Sequence, residues 1–276
     1  MSRFLKLVNF EFNRFWKLYM VLMGVTILSQ LTGVIVVAQT YVNQANKAIY
    51  KELMPMREFI VQNGKLSFHN ITQTLWFLGP IGICLVVLSI YVFFIWYRDW
   101  LGKNTFIYRL LMLPTARIHV YLAKAVTILL VILGLVALQL VLLPIENQLF
   151  IRLVPNDFRT NLSLFEIIED PYLAILFPHT FREFILYYLG GMAAVLVVFT
   201  AILFERSFRI KGVFWGILYS AASILICLAP ILVNEIFLGK YFYPMEVFFM
   251  ELVTGLIVLS GAIWTGNILI KKKVRV

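Results

Sequence analysis

The sequence predicts an all-α, polytopic membrane protein with six transmembrane helices, and three observations predict it. Hydrophobic residues make up 62% of the 276 and charged residues only 14%, against about 25% charged in ordinary soluble domains. Apolar runs of 20 or more residues recur along the whole length, each able to cross a hydrocarbon core of about 30 Å. The polar segments between them leave no room for a sizeable soluble core, so residues 1–276 read as a single membrane domain.

The candidate spans are 19–39, 75–97, 121–143, 184–204, 213–233 and 247–270. An even number of spans places both termini on one side. Sixteen of the 24 Lys and Arg fall in the N-terminal segment, in 98–120 with Lys124, in 205–212 and in the tail. Positive charge is retained on the cytoplasmic side, so both termini are expected there. The tail Lys271, Lys272, Lys273 and Arg275 is the clearest anchor, and only Glu11, Asp99 and Glu205 carry negative charge on that side. Basic residues scattered at span ends form no nucleic-acid reading motif, so no nucleic-acid partner is expected.

The opening MSRFLKLVNFEFNRFWK places Phe4, Leu5, Leu7, Val8, Phe12, Phe15 and Trp16 near one helical face, with Arg3, Lys6 and Arg14 available to lipid headgroups. This predicts an interfacial amphipathic helix on the cytoplasmic surface, followed by a turn into the first span; the alternative is an N-terminal extension of that span. The run that follows lacks a small-residue cleavage pattern and is expected to be retained.

Residues 40–74 and 144–183 are longer than hairpins need and are candidate extracytoplasmic caps. In the first, AIYKELMPMREFI is interrupted by Pro55, which suggests two short surface helices. In the second, PYLAILFPHT is too short to span and is bracketed by Pro171 and Pro178, which suggests an interfacial or re-entrant segment.

The spans are nearly free of ionisable residues, and Lys124, Glu183, Glu246 and Glu251 lie close enough to span ends to reach interfacial water. Cys84 and Cys227 sit inside apolar runs as small hydrophobes. His69, His119 and His179 fall in separate loops, and neither H-E-x-x-H nor G-x-S-x-G occurs. The chain is therefore expected to be no enzyme and to bind no cofactor or metal. It also lacks G-x-x-x-x-G-K-[ST], so any ATP and Mg would belong to a partner.

The most informative stretch is YRDWLGKNTFIYRLLMLPTARIHVYLAKAV, between the second and third spans. Phe106, Leu110 and Leu113 share a helical face, with Lys103, Asn104 and Arg109 pointing elsewhere. Pro114 ends that piece and Thr115 can cap the next helix, which continues through Arg117, Tyr121 and Lys124 into the third span. The order Trp96, Arg98, Asp99, then Gly102 and Thr105, then Leu-Leu-x-Leu-Pro, Arg117 and Ala123-Lys124 resembles the intracellular loop of ATP-binding-cassette (ABC) transporter permeases of the second export class. In that family the pattern is an acidic residue near the span end, Gly-Thr, Leu-Leu-x-x-Pro, then Arg and Gly-Lys. Here Lys103 and Asn104 separate Gly102 from Thr105, and Ala123 stands where the family has glycine.

The resemblance implies a permease subunit of an ATP-driven exporter in a bacterial plasma membrane, a homodimer or a pair with a similar chain. Cytoplasmic ABC ATPase subunits, carrying ATP and Mg, would dock on a coupling helix around Thr105, Phe106, Arg109, Leu110, Leu113, Pro114 and Arg117. They would also touch the N-terminal helix, marked by Phe4, Leu5, Phe12 and Trp16. A hydrophobic or amphipathic substrate, such as an antimicrobial peptide or lipid-linked compound, suits charge-free spans. The alternative function is a membrane scaffold or immunity-type protein that binds a partner or ligand without transport.

Overall fold

The computed structural model describes residues 3–100, 106–112, 116–170, 172–237, 239 and 241–273, and only the backbone of Phe106, Tyr108, Arg109 and Phe237. Ten helices account for nearly all of it: α1 Arg3–Tyr50, α2 Met56–Asn63, α3 Phe68–Thr72, α4 Leu75–Trp100, α5 Phe106–Leu111, α6 Ile118–Leu153, α7 Leu164–Ile168, α8 Phe181–Phe208, α9 Ile210–Leu232 and α10 Pro244–Lys272. Six of them, α1, α4, α6, α8, α9 and α10, are long and apolar enough to cross a membrane. The chain is an all-α polytopic membrane protein. Among the described residues the strands are two dipeptides, β1 Leu66–Ser67 and β2 Arg159–Thr160, paired in parallel.

The helix ends depart from the expected spans for identifiable reasons. No glycine or proline occurs before Gly24, so nothing interrupts a helix once nucleated, and extension is favoured over a break. The opening segment is accordingly the first four turns of α1, with no turn into a separate span. The face assigned to it also divides. Phe15 is 1% exposed and Leu7 and Val8 are buried, whereas Leu5 and Trp16 are 48% and 42% exposed, with Phe4 and Phe12 between. At the other end α1 runs on to Tyr50, so the first of the two short helices expected around Pro55 is its last turn. The second is α2, which begins just after Pro55. Helix α6 likewise passes through Pro144 and ends at Leu153.

The chain packs as two compact units, one of residues 1–15, 88–130 and 180–276, the other of 16–87 and 131–179. Helices α1, α4 and α6 contribute residues to both. In the second unit, apolar residues of α1 (Val34, Ala38, Ala45) share a core with Phe59, Phe68, Phe77, Leu143 and Phe150. Its connecting segments are tied by polar contacts. The Tyr41 hydroxyl donates to the Gly64 carbonyl at 2.5 Å. Buried Asp170 accepts from Thr72 Oγ1 at 2.7 Å and from the Tyr172 N–H at 3.0 Å, and lies 2.6 Å from His69 Nδ1. In PYLAILFPHT, Leu173 and Phe177 are buried in that same core, so this segment packs as turns within the unit; Pro171 lies outside the described residues. At the start of α7, the Ser163 backbone N–H and hydroxyl hold the Glu166 carboxyl below the usual carboxylate range. That cap is complete at neutral pH and is lost as pH falls through the lowered value.

In the first unit, α8, α9 and α10 pack on one another. The α8 to α9 turn is made at Arg209, whose φ of 55° is the left-handed conformation. Two glycines let the helices approach: Gly212 faces the Phe204 carbonyl, and a Cβ on Gly216 would lie 2.9 Å from the Ala201 oxygen. Backbone cannot yield as a flexible side chain can. Gly216→Ala is therefore expected to destabilise by about 1–3 kcal/mol. Gly255→Ala in α10, which meets nothing within 4 Å, should be neutral or stabilising by up to about 1 kcal/mol through helix propensity. Thermal unfolding in mild detergent should show a lowered midpoint for Gly216→Ala and an unchanged or raised one for Gly255→Ala.

Candidate functional site

The strongest concentration of chemistry in the first unit is a buried ion cluster. Lys124, six residues into α6, has no solvent exposure. An ammonium has three N–H bonds to satisfy, and all three find oxygen: Glu11 Oε1 at 2.7 Å, Asp99 Oδ2 at 2.5 Å and the Ile95 carbonyl at 3.0 Å. The remaining carboxylate oxygens are met by arginines, Arg14 Nη1 on Asp99 Oδ1 at 2.7 Å and Arg98 Nη2 on Glu11 Oε2 at 3.1 Å. Glu11 and Asp99 are themselves buried. The Trp96 ring centroid lies 5.4 Å from the Lys124 ammonium, a cation–π contact strengthened by the burial of both side chains. Three segments distant in sequence, from α1, α4 and α6, thus converge on one closed set of charges.

An uncharged polar and aromatic layer continues from it. Trp96, Tyr121 and Phe199 meet with ring centroids 5.6–6.3 Å apart. The buried Tyr121 hydroxyl donates to the Leu196 carbonyl at 2.8 Å and lies 3.1 Å from Thr200 Oγ1. Thr200 in turn donates to Leu196 at 2.9 Å and to Ala262 of α10 at 3.2 Å. Nearby, Arg117 Nη1 donates to the Ile270 carbonyl at 3.2 Å, near the α10 C-terminus where carbonyls lack intrahelical partners.

The residues expected to contact an ATPase divide in three ways. Thr105, Leu113 and Pro114 lie outside the described residues, and the side chains of Phe106 and Arg109 are likewise not described. The backbone confirms a separate short helix, α5, between α4 and α6. Leu110 is 5% exposed and packs inside the unit with Ile107 and Leu111 in buried positions, whereas Met112 is 73% exposed. The α5 side chain expected to face outward at Leu110 is committed inward. Arg117 is engaged with Ile270, as above.

Sequence reasoning misses the cluster because hydropathy makes Lys124 a span-end residue and Glu11 and Asp99 cytoplasmic charges. One local mark is present: Glu11 stands between Phe10 and Phe12, apolar neighbours that make it a candidate for burial without naming a partner. In the second unit, Gln30 Nε2 donates to Gln139 Oε1 at 3.1 Å. Glu146, seven residues further along α6, is fully buried with no partner on either carboxylate oxygen among the described residues. In the sequence it reads as one more extracytoplasmic charge. Among the described residues no three His, Cys, Asp or Glu side chains gather as metal ligands.

No protein-family model matches the chain, and neither a curated protein nor a solved structure matches it.

The cluster's energetics are testable directly. Lys124→Met leaves two buried carboxylates short of a partner and should destabilise the protein by about 3–5 kcal/mol. Replacing exposed Lys211 with Met should stay within about 0.5 kcal/mol. Chemical unfolding of both variants in mild detergent separates the two expectations; equal, small losses would mean that Lys124 is solvated.

Proposed function

We propose that this chain is the membrane-spanning permease subunit of an ATP-driven exporter of the ABC type, working with a separate cytoplasmic ATPase that carries ATP and Mg. The observation that carries the reading is the position of α5 in the chain, between the two helix ends that the ion cluster ties together. This short helix is linked to the end of α4, which holds Arg98 and Asp99, and to the start of α6, which holds Lys124. Force applied to α5 by a closing ATPase would reach helices cross-linked by charge, and a rigid coupling of that kind transmits a shift instead of absorbing it. The loop resemblance to permeases of the second export class supports the same assignment.

In this reading both termini, α5 and the charge cluster lie on the cytoplasmic side of a bacterial plasma membrane, in accord with the Lys and Arg asymmetry. The permease acts as a homodimer or beside a second similar chain, and exports a hydrophobic or amphipathic molecule. Because Leu110 is buried, the exposed apolar contact offered by the described part of α5 and its end is Met112.

Two experiments test this. In a variant with Cys84→Ala and Cys227→Ala, cysteines at Lys51 and Lys272 should be labelled from opposite sides of the membrane, and one at Met112 from the same side as Lys272. Purification from the native membrane should then bring down a Walker-type ATPase with vanadate-sensitive turnover, and Met112→Cys should cross-link to it. A chain that repeatedly purifies alone, without ATP hydrolysis, would favour the scaffold or immunity-type function instead.

A further inference from the structure

The first unit also holds a cavity of about 750 Å³, formed by the start of α8, the π-helical turn Val233–Phe237 after α9, and the start of α10. Its volume falls within the roughly 300–1,000 Å³ of small-molecule sites. We propose that this cavity binds an organic cation, a quaternary or protonated amine carried on an apolar or aromatic body.

Charge is the first argument. Three carboxylates, Glu183, Glu235 and Glu251, line the cavity against a single guanidinium, Arg182, among its described lining residues. The side chains of Glu235 and Glu251 make no hydrogen bond or ion pair among the described residues, so neither carboxyl is committed to a partner within the protein. Arg182 is turned to Met245, its Nη1 lying 3.2 Å from the sulfur.

The wall chemistry is the second. Tyr241, Phe242, Tyr243 and Phe248 also line the cavity, and aromatic faces attract cations at about 0.5–2 kcal/mol each, most where water is thin. Anionic groups joined to aromatic walls select a cation with a hydrophobic body over an inorganic ion, which would keep its water.

The third is order. The aromatic segment is fixed from both sides: Asn234 Oδ1, buried in the π turn, accepts from the Phe242 N–H at 3.0 Å, and Glu246 Oε2 accepts from the Tyr243 N–H at 3.0 Å. The π turn itself is a rare conformation that recurs at functional sites. A rim held in this way retains its shape without a ligand, which lowers the cost of binding.

The site stands apart from the permease reading, since binding is read on the chain alone with no ATPase present. The full chain in micelles of an uncharged maltoside detergent, which carries no ammonium group, is titrated calorimetrically with benzyltriethylammonium and with an uncharged isostere of the same shape. The expected result is saturable binding of one cation per chain, at least tenfold tighter than the isostere, and at least tenfold weaker in the double variant Glu235→Gln, Glu251→Gln. Tyr241 is 77% exposed, so Tyr241→Ala is expected to fold normally and to weaken binding several-fold. That variant decides the matter if the double variant loses the wild-type elution profile. Equal binding of cation and isostere would identify an apolar groove filled by lipid and overturn the proposal, as would wild-type affinity in Tyr241→Ala or no saturable binding by the wild type.

Discussion

A lysine ammonium removed from water is tolerable only when each of its N–H bonds ends on an oxygen and its charge is balanced nearby. Lys124 meets both conditions through Glu11, Asp99 and the Ile95 carbonyl. The carboxylates obtain their second contacts from Arg14 and Arg98, which reach the surface and let the cluster's excess positive charge be solvated. An isolated charge in the apolar region of a helix costs at least about 2.5–3.5 kcal/mol. The pairing therefore dictates which residues of α1, α4 and α6 face one another, because any slip by a turn strands a charge.

This kind of network is weak evidence for net stability, since an apolar set of equal volume could do as well. What it adds is a choice among packings. Helices with apolar surfaces all round slide and rotate past one another at little cost in lipid, where the hydrophobic effect does not distinguish one apolar contact from another. The cluster fixes one arrangement, and the Tyr121 and Thr200 hydroxyls extend it to the backbones of α8 and α10. The close backbone approach at Gly212 and Gly216 then sets how α8 meets α9.

The six long helices are legible in the sequence because each rests on a local property, an apolar run of sufficient length. The extents of α4, α8, α9 and α10 come within a few residues of the spans read from hydropathy. Those of α1 and α6 do not, since hydropathy reports where the bilayer is and not where a helix ends. α1 has no breaker before Gly24, and α6 continues through Pro144, whose missing donor and ring clash with the carbonyl four residues earlier cost about 3 kcal/mol that the packing of the helix offsets. The break that isolates α5 is legible from local pattern, but the inward commitment of Leu110 is not. The ion cluster is illegible for a different reason. Its direct pairs lie 25–113 residues apart in sequence, and the Arg14 and Glu11 pair alone is local. Nothing in a single sequence says that Glu11 and Lys124 meet, and the same holds for the buried carboxyl of Glu146.

The α4 and α6 ends that flank α5 are joined by the Lys124–Asp99 pair, and the proposed passage of force from an ATPase depends on that bond. A double-mutant cycle between Lys124 and Asp99, using Lys124→Met, Asp99→Asn and the pair, isolates it from the other effects of each change. Unfolding free energies measured in mild detergent should give a coupling of at least about 1.5 kcal/mol, in the range of close, desolvated charge pairs. Additive losses, with coupling near zero, would show that the two residues do not depend on each other and would remove the mechanical basis for force passing through α5.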